Sequence, residues 1–136
     1  MNITPYSHYD EEEVLSLYRA VGWSNYYHNP EMLRKAFAHS LCTLGAWEDG
    51  KLIGLIRAVG DGYSSVLIQD ILVYPDWQRR GIGTALMREM LARYAHVYQI
   101  QLATDNTEKT KAFYRSQGLR PMEELGCCGF MKVYAY

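Results

Sequence analysis

The chain is 136 residues long, 49% hydrophobic and 21% charged, which fits one folded domain with a buried core and excludes a disordered or fibrous chain. A formal net charge of −1 excludes a general polyanion-binding surface, so a nucleic-acid partner is not expected and any basic site, such as Arg79-Arg80, is local. The three cysteines, Cys42, Cys127 and Cys128, lack Cys-x-x-Cys spacing and give neither a disulfide framework nor a zinc site.

In chain order, Ile3-Thr4 opens as a short strand interrupted by Pro5. Asp10 as N-cap with Glu13 three residues on predicts a helix whose apolar stripe is Val14, Leu15, Tyr18 and Val21, ended by Gly22. An aromatic segment, Trp23 to Tyr27, leads to Asn29-Pro30, the N-cap and first turn of a second helix carrying Leu33, Ala36 and Phe37. Two strands follow, Leu41 to Glu48 and Leu52 to Val59, joined at Asp49-Gly50, a dipeptide suited to the positive φ angles of a type I′ hairpin turn. After the turn at Gly60-Asp-Gly62, Ser65 to Val73 is apolar enough for a strand buried on both faces.

A helix is expected from Gly83 to about Tyr94, with Leu86, Met87, Met90 and Leu91 inward, and then a strand over Val97 to Thr104. The last helix fits Thr107 to Gln117, stopped by Gly118. Leu119 to Leu125 and Phe130 to Tyr134 read as two terminal strands around Gly126-Cys-Cys-Gly129. The sum is an α/β domain of order β-α-α-β-β-β-α-β-α-β-β, a mixed central sheet flanked by helices. No apolar run of about 18 residues occurs, and Met-Asn-Ile-Thr-Pro lacks the regions of a signal peptide. A membrane partner is therefore not expected, and the cytoplasm is the default location.

The chemistry-bearing stretch lies between the apolar strand and the helix that follows it, at Gln78-Arg79-Arg80-Gly81-Ile82-Gly83-Thr84. Free N–H groups at a helix start, together with the helix dipole, favour an anion, and glycines let a pyrophosphate approach the main chain. The spacing is neither that of a nucleoside triphosphate loop nor that of a dinucleotide fingerprint. The four histidines lack metal-ligand spacing and no Gly-x-Ser-x-Gly elbow is present, so neither a metal site nor a serine hydrolase is expected.

Gln78-x-x-Gly81-x-Gly83 resembles the acetyl-coenzyme A loop of the GNAT superfamily of N-acetyltransferases, whose usual form is Arg/Gln-x-x-Gly-x-Gly/Ala. The element order is also that of this superfamily, so the resemblance covers most of the chain. Downstream, Phe113-Tyr114-Arg115-Ser116-Gln117-Gly118-Leu119 looks like the family's Phe-Tyr-x-x-x-Gly-Phe segment. The resemblance implies a single N-acetyltransferase domain over 1–136, with acetyl-coenzyme A as acyl-donor co-substrate and no metal. It implies direct transfer, through a ternary complex, to a primary amine of a small molecule or to a peptide amino terminus. A non-catalytic coenzyme A-binding sensor or assembly module is the alternative.

Residue by residue, the resemblance implies main-chain pairing of the pantetheine arm with Ile71, Leu72 and Val73. Amides from Arg80 to Thr84 would hold the pyrophosphate, with the Arg79 and Arg80 side chains as additional charge. It makes Tyr114 the general acid for the departing thiolate, for which a phenol of ordinary pKa about 10 is suited. Packing of a helix face is the other reading of Phe113-Tyr114. Counting back from Phe113 places Thr107 and Thr110 where the family often has Asn and Ala, whereas Asn106 falls one position early and reaches pantetheine only if the loop is one residue longer. These loop residues also suit a helix cap.

Asp70 is an acid in an apolar strand, and two readings are open: a base or ammonium anchor for the acceptor, or a structural partner of Arg57. The polyamine acetyltransferases, similar along this strand, carry acids at both Gln69 and Asp70, and Gln69 is not a base. Trp23, Tyr26, Tyr27 and His28 are candidate acceptor-pocket walls, and Glu123 and Glu124 candidate cation attractors. The segment Phe130 to Tyr134 is a candidate for pairing across a homodimer.

Overall fold

The computed structural model describes residues 1–134; Ala135 and Tyr136, the last two residues of the expected domain, lie outside the described residues. Five strands, β1 (Asn2–Pro5), β2 (Cys42–Glu48), β3 (Lys51–Gly60), β4 (Ser65–Val73) and β5 (Gln99–Leu102), form one sheet in sequential order. The first four run antiparallel to their neighbours, and β5 lies parallel to β4. Pro5, which has no N–H to give to a ladder, sits on the edge strand. Asp49 and Gly50 both take positive φ, 48° and 77°, as the hairpin between β2 and β3 requires.

Helices cover both faces. On one, α1 (Glu11–Ala20), the short α2 (Ser24–Tyr27) and α3 (Pro30–Ala38) bury Val14, Leu17, Tyr18 and Leu33 against Leu52, Leu55 and Leu72. The Asp10 side chain caps α1 by accepting from the Glu13 N–H at 3.1 Å. On the other face, α4 (Ile82–Arg93) buries Ile82, Leu86, Met87 and Met90 against Leu44, Ile53, Ile56, Val66 and Ile68. The last helix, α5 (Glu108–Ser116), brings Tyr114 to the edge of that second core.

Two irregularities mark β4. In its pairing with β3, Arg57 faces Asp70 and Ala58 faces Ile68, so Gln69 is an unpaired extra residue, a β-bulge. Before it, Val66 and Ile68 point to the α4 side; after it, Ile71 and Val73 point to the α4 side, while Leu72 points to the α1 side. The second irregularity is a parting of strands. Pairing with β5 runs from Ser65 opposite Gln99 to Ile68 opposite Leu102 and then stops, although β4 continues to Val73. Past Ile68 the edge of β4 turned away from β3 has no strand beside it among the described residues.

The C-terminal region departs from the sequence expectation. Leu119 to Leu125 is not a strand: residues Met122–Leu125 form a 3-10 turn, closed by Gly126 at φ 80°. Pro121 starts this turn, and its amides are satisfied locally, Glu124 by the Pro121 carbonyl and Gly126 by that of Glu123. Arg115 and Arg120 both pair with Glu124 across it. Phe130 to Tyr134 is not a strand either, because no strand among the described residues lies beside it to complete a ladder. The strand expected over Val97 to Thr104 is confined to Gln99–Leu102, and α2 forms within what reads in sequence as a loop.

Candidate active site

The chain leaves β4 through a 3-10 turn at Pro75–Trp77 and folds back on the strand, the Gln78 Nε2 donating to the Val73 carbonyl at 3.1 Å. Arg79 and Gly81 then take positive φ, 63° and 81°, and Gly81 occupies the N-cap of α4. Gly81 supplies no capping side chain, and the first helical bond runs from Ala85 N–H to the Gly81 carbonyl at 3.0 Å. The N–H groups of Ile82, Gly83 and Thr84 therefore precede the helical ladder, at the positive end of the α4 dipole. Ile82 is buried and pins this turn to the core. Arg79 and Arg80 are both exposed, and the Arg80 guanidinium lies 4.8 Å from the centre of the Trp77 ring.

Where β4 and β5 part, a cleft of about 420 Å³ opens. Ile68, Gln69 and Ile71 form one wall; Leu102 to Asp105, Thr110 and Tyr114 form the other; Trp23 and Met131 also line it. Ile71 contributes its side chain, but Leu72 and Val73 send theirs into the cores and leave only main chain to a ligand on this side. Burial raises the Tyr114 phenol above its ordinary pKa; the Thr104 hydroxyl opposes that rise and Asp105 adds to it. The phenol thus stays a proton donor at neutral pH. Phe113 stacks edge-on to Tyr114 at 5.0 Å, and a Cβ built on Gly83 would lie 3.7 Å from its ring, so α4 and α5 meet through these residues.

Asp70 does not line this cleft. The bulge at Gln69 turns it toward α1, where it is 2% exposed and its Oδ2 accepts from Tyr18 Oη and Arg57 Nε, each at 2.8 Å, with Arg57 Nη2 in ion-pair contact at 2.8 Å. Arg57, 4% exposed, also donates to Ser40 Oγ at 3.1 Å and lies over the Phe37 ring. Burial is the largest single influence on Arg57 and works to lower its pKa, but the charge and hydrogen bond of Asp70 together with the Tyr18 and Tyr26 phenols outweigh it, and the guanidinium is held more firmly protonated. The ion pair with Arg57 is thus the arrangement found for Asp70.

Thr107 caps α5, accepting from the Thr110 N–H, and the Thr110 hydroxyl donates to the Asp105 carbonyl at 2.8 Å. Of these loop residues Thr110 reaches the cleft; Asn106 is exposed. Trp23 lines the cleft and the Tyr26 hydroxyl accepts from Gln69 Nε2 at 3.2 Å, whereas Tyr27 and His28 stack on each other away from it. Glu123 and Glu124 lie outside the lining. Sequence reasoning missed Thr104, Asp105 and Met131: none sits in a fixed motif, and each reaches the cleft only because β5 stops at Leu102 and the last segment folds across. Among the described residues no group of three or more His, Cys, Asp or Glu is placed to hold a metal, and no helix is long and apolar enough to cross a membrane.

The acetyltransferase (GNAT) domain family matches residues 39–121. A GNAT-family acetyltransferase from Streptococcus pneumoniae is 44% identical, with a TM-score of 0.89 over 99% of this chain and 98% of that one. Another from Brucella melitensis, solved in complex with acetyl-CoA, is 25% identical, with a TM-score of 0.68 over 89% and 83%. An uncharacterised ycf52-like N-acetyltransferase from Prochlorococcus marinus is 31% identical over 113 residues, 78% of this chain, and the chain spans 60% of that relative's length. The matched region contains both the glycine loop ahead of α4 and Phe113-Tyr114, and on these grounds the chain belongs to the GNAT family of acetyltransferases.

Proposed function

We propose that this chain transfers an acetyl group from acetyl-coenzyme A directly to a primary amine, on a small molecule or an amino terminus, with donor and acceptor bound together. The observation that carries the reading is continuity: an unpaired strand edge at Gln69–Val73 runs into a helix start with open N–H groups, and a protonated Tyr114 stands on the facing wall. The donor's anionic end suits the amides of Arg80 to Thr84, with Arg80 as added charge, and its extended arm suits the free edge of Ile71 to Val73. Gly81 and Gly83 leave room for that approach. The relative from Brucella melitensis, which binds acetyl-CoA in its solved structure, supports the same assignment.

Acetyl-coenzyme A supplies an activated thioester. The residues then have separate tasks. A main-chain amide of β4 stabilises negative charge on the carbonyl oxygen, and Tyr114 gives its proton to the departing sulfur. Thr110 and Phe113 hold the wall on which Tyr114 stands, and Asn106 and Thr107 border it. Asp70 is a positioning residue here: its ion pair fixes β4 just past the bulge, and the acceptor's proton leaves to solvent. The three free thiols suit the reducing cytoplasm, where we place the reaction.

Screening amines for acetyl-CoA-dependent thiol release tests the activity, and titration with coenzyme A tests the site. Tyr114→Phe lowers turnover by about 10²-fold or more while leaving coenzyme A affinity unchanged; equal turnover in the two proteins removes Tyr114 as the acid. A second reading rests on the cleft lining having a single carboxylate among the described residues, Asp105, which leaves few groups to receive an acceptor's proton. Tight coenzyme A binding with no turnover on any amine would favour a sensor or assembly module.

A further inference from the structure

The chain leaves the 3-10 turn Met122–Leu125 through two adjacent cysteines held between glycines, Gly126-Cys127-Cys128-Gly129. Both thiols are free and exposed. Gly126 takes φ 80°, and the Met122 carbonyl then accepts from the Cys127 N–H at 3.0 Å and from the Cys127 thiol at 3.4 Å. Cys127 is thereby held against Met122. Among the described residues no backbone hydrogen bond holds Cys128 or Gly129, and a Cβ built on Gly129 would meet, beyond its chain neighbours, the Met122 sulfur at 4.0 Å. Three sulfur atoms thus gather at one short turn.

Neighbouring thiols can bond to each other or share a ligand, and geometry favours the ligand. Consecutive Cα atoms across a trans peptide lie about 3.8 Å apart, below the roughly 4.4–6.8 Å usual for a disulfide, so an S–S bond between adjacent residues is strained. A bridging cation keeps the two sulfurs apart and removes that constraint. The donor set then selects the cation. Two thiols and a thioether are soft donors, and among the described residues no third His, Cys, Asp or Glu joins the two cysteines to hold a metal. A four-coordinate zinc site is incomplete on such a set. A soft cation that two or three sulfurs satisfy is not.

We propose that Cys127 and Cys128, with the Met122 thioether as third donor, bind copper(I). Two sulfur–copper bonds form, the two thiol protons pass to solvent, and no atom changes oxidation state. The site lies apart from the cleft, which is lined by Met131 but not by Met122, Cys127 or Cys128. It is therefore independent of acetyl transfer. The third cysteine gives an internal contrast. Cys42 is half-buried on β2 against the α4 core, and burial raises its thiol pKa over the opposing influence of Arg93 and Tyr94, so it stays protonated.

Anaerobic titration of the full chain with copper(I), in competition with a chromophoric copper(I) chelator, tests it. The expected result is one copper per chain. Cys127→Ser and Cys128→Ser each weaken binding by more than about 100-fold, the upper end of what losing a merely supporting group costs a metal site, and Met122→Leu weakens it roughly tenfold. Cys42→Ala leaves it unchanged. The far-ultraviolet spectra of the two serine variants match that of the wild type, because both side chains are exposed. Four results would overturn the proposal. They are an affinity no higher than that of the doubly substituted Cys127→Ser/Cys128→Ser chain, loss of binding in Cys42→Ala, one copper for every two chains, which would mean a bridge between copies, and zinc(II) held as tightly as copper(I).

Discussion

At the level of single residues, the sharpest contrast is between Tyr114 and Asp70. Both are ionisable groups in largely apolar settings, yet one faces the cleft and the other is locked behind it by three contacts at 2.8 Å. A buried pair of this kind costs more to break than it is worth to keep, because removing one charge strands the other. Asp70→Asn therefore destabilises the fold by about 3 kcal/mol, leaving Arg57 buried without its counter-charge. Combining it with Arg57→Met restores most of that loss, and urea midpoints for the single and double variants check both statements. Were Asp70→Asn to abolish turnover at full stability, Asp70 would be a participant in the reaction and not a support. The sequence posed the choice between base and ion pair but had no means of deciding it. What turns Asp70 toward Arg57 is Gln69, whose bulge reverses the facing of every residue after it, and a bulge depends on the neighbouring strand.

The elements that read correctly are those with local causes. The capped start of α1, the positive φ pair at Asp49-Gly50 and the glycine loop ahead of α4 each follow from the preferences of a few adjacent residues. Those that did not are set by neighbours distant in sequence. The alternation in Phe130 to Tyr134 is that of a strand, but a strand needs a partner edge, and a pattern of side chains does not say whether one is supplied by the same chain. Nor does anything in Val97 to Thr104 announce that β5 stops at Leu102, which is what opens the cleft. Within the glycine loop the two glycines have different reasons for being there. Gly81 sits at φ 81°, so an alanine there costs about 1 kcal/mol in backbone strain. Gly83 has ordinary helical geometry, and an added methyl would make only van der Waals contact with Phe113 at 3.7 Å. Gly83→Ala consequently keeps or slightly raises stability yet weakens coenzyme A binding roughly tenfold, by narrowing the approach to the helix start. Calorimetric titration beside a thermal melt separates the two effects, and unchanged affinity would show that the pyrophosphate does not come close to this position.

Across the whole molecule, the sheet divides two cores of unlike chemistry. The one under α4 has aliphatic and Met side chains at its centre and is bordered by three aromatic rings, Trp77, Tyr94 and Tyr114, whereas the one under α1 and α3 is bordered by Tyr6, Tyr9, Trp23, Tyr26, Phe37 and Trp47, among others, around a buried Tyr18. The aromatic side carries phenols that folding has moved away from water. Burial, reinforced by Asp70, pushes Tyr18 well above its ordinary pKa; burial also raises Tyr6, and it raises Tyr9 to about 12. A group whose folded pKa exceeds its unfolded value contributes stability that is complete below the unfolded value, here about 10, and is lost as pH rises beyond it. The unfolded chain then releases protons that the folded chain retains. For the buried Tyr18 alone the slope is about 1.4 kcal/mol per pH unit above pH 10; Tyr9 and Tyr6, partly open to solvent, add smaller screened amounts. Stability should therefore be flat in this respect from neutral pH to about 9.5 and fall steeply from there to about 11.5. Tyr18→Phe, though less stable at neutral pH for want of its bond to Asp70, should show a shallower fall. Urea unfolding across this range, followed by circular dichroism, measures the slope directly. A midpoint that holds steady to pH 11.5 would mean that these hydroxyls are hydrated in the folded protein, and that the aromatic side is far looser than its packing indicates.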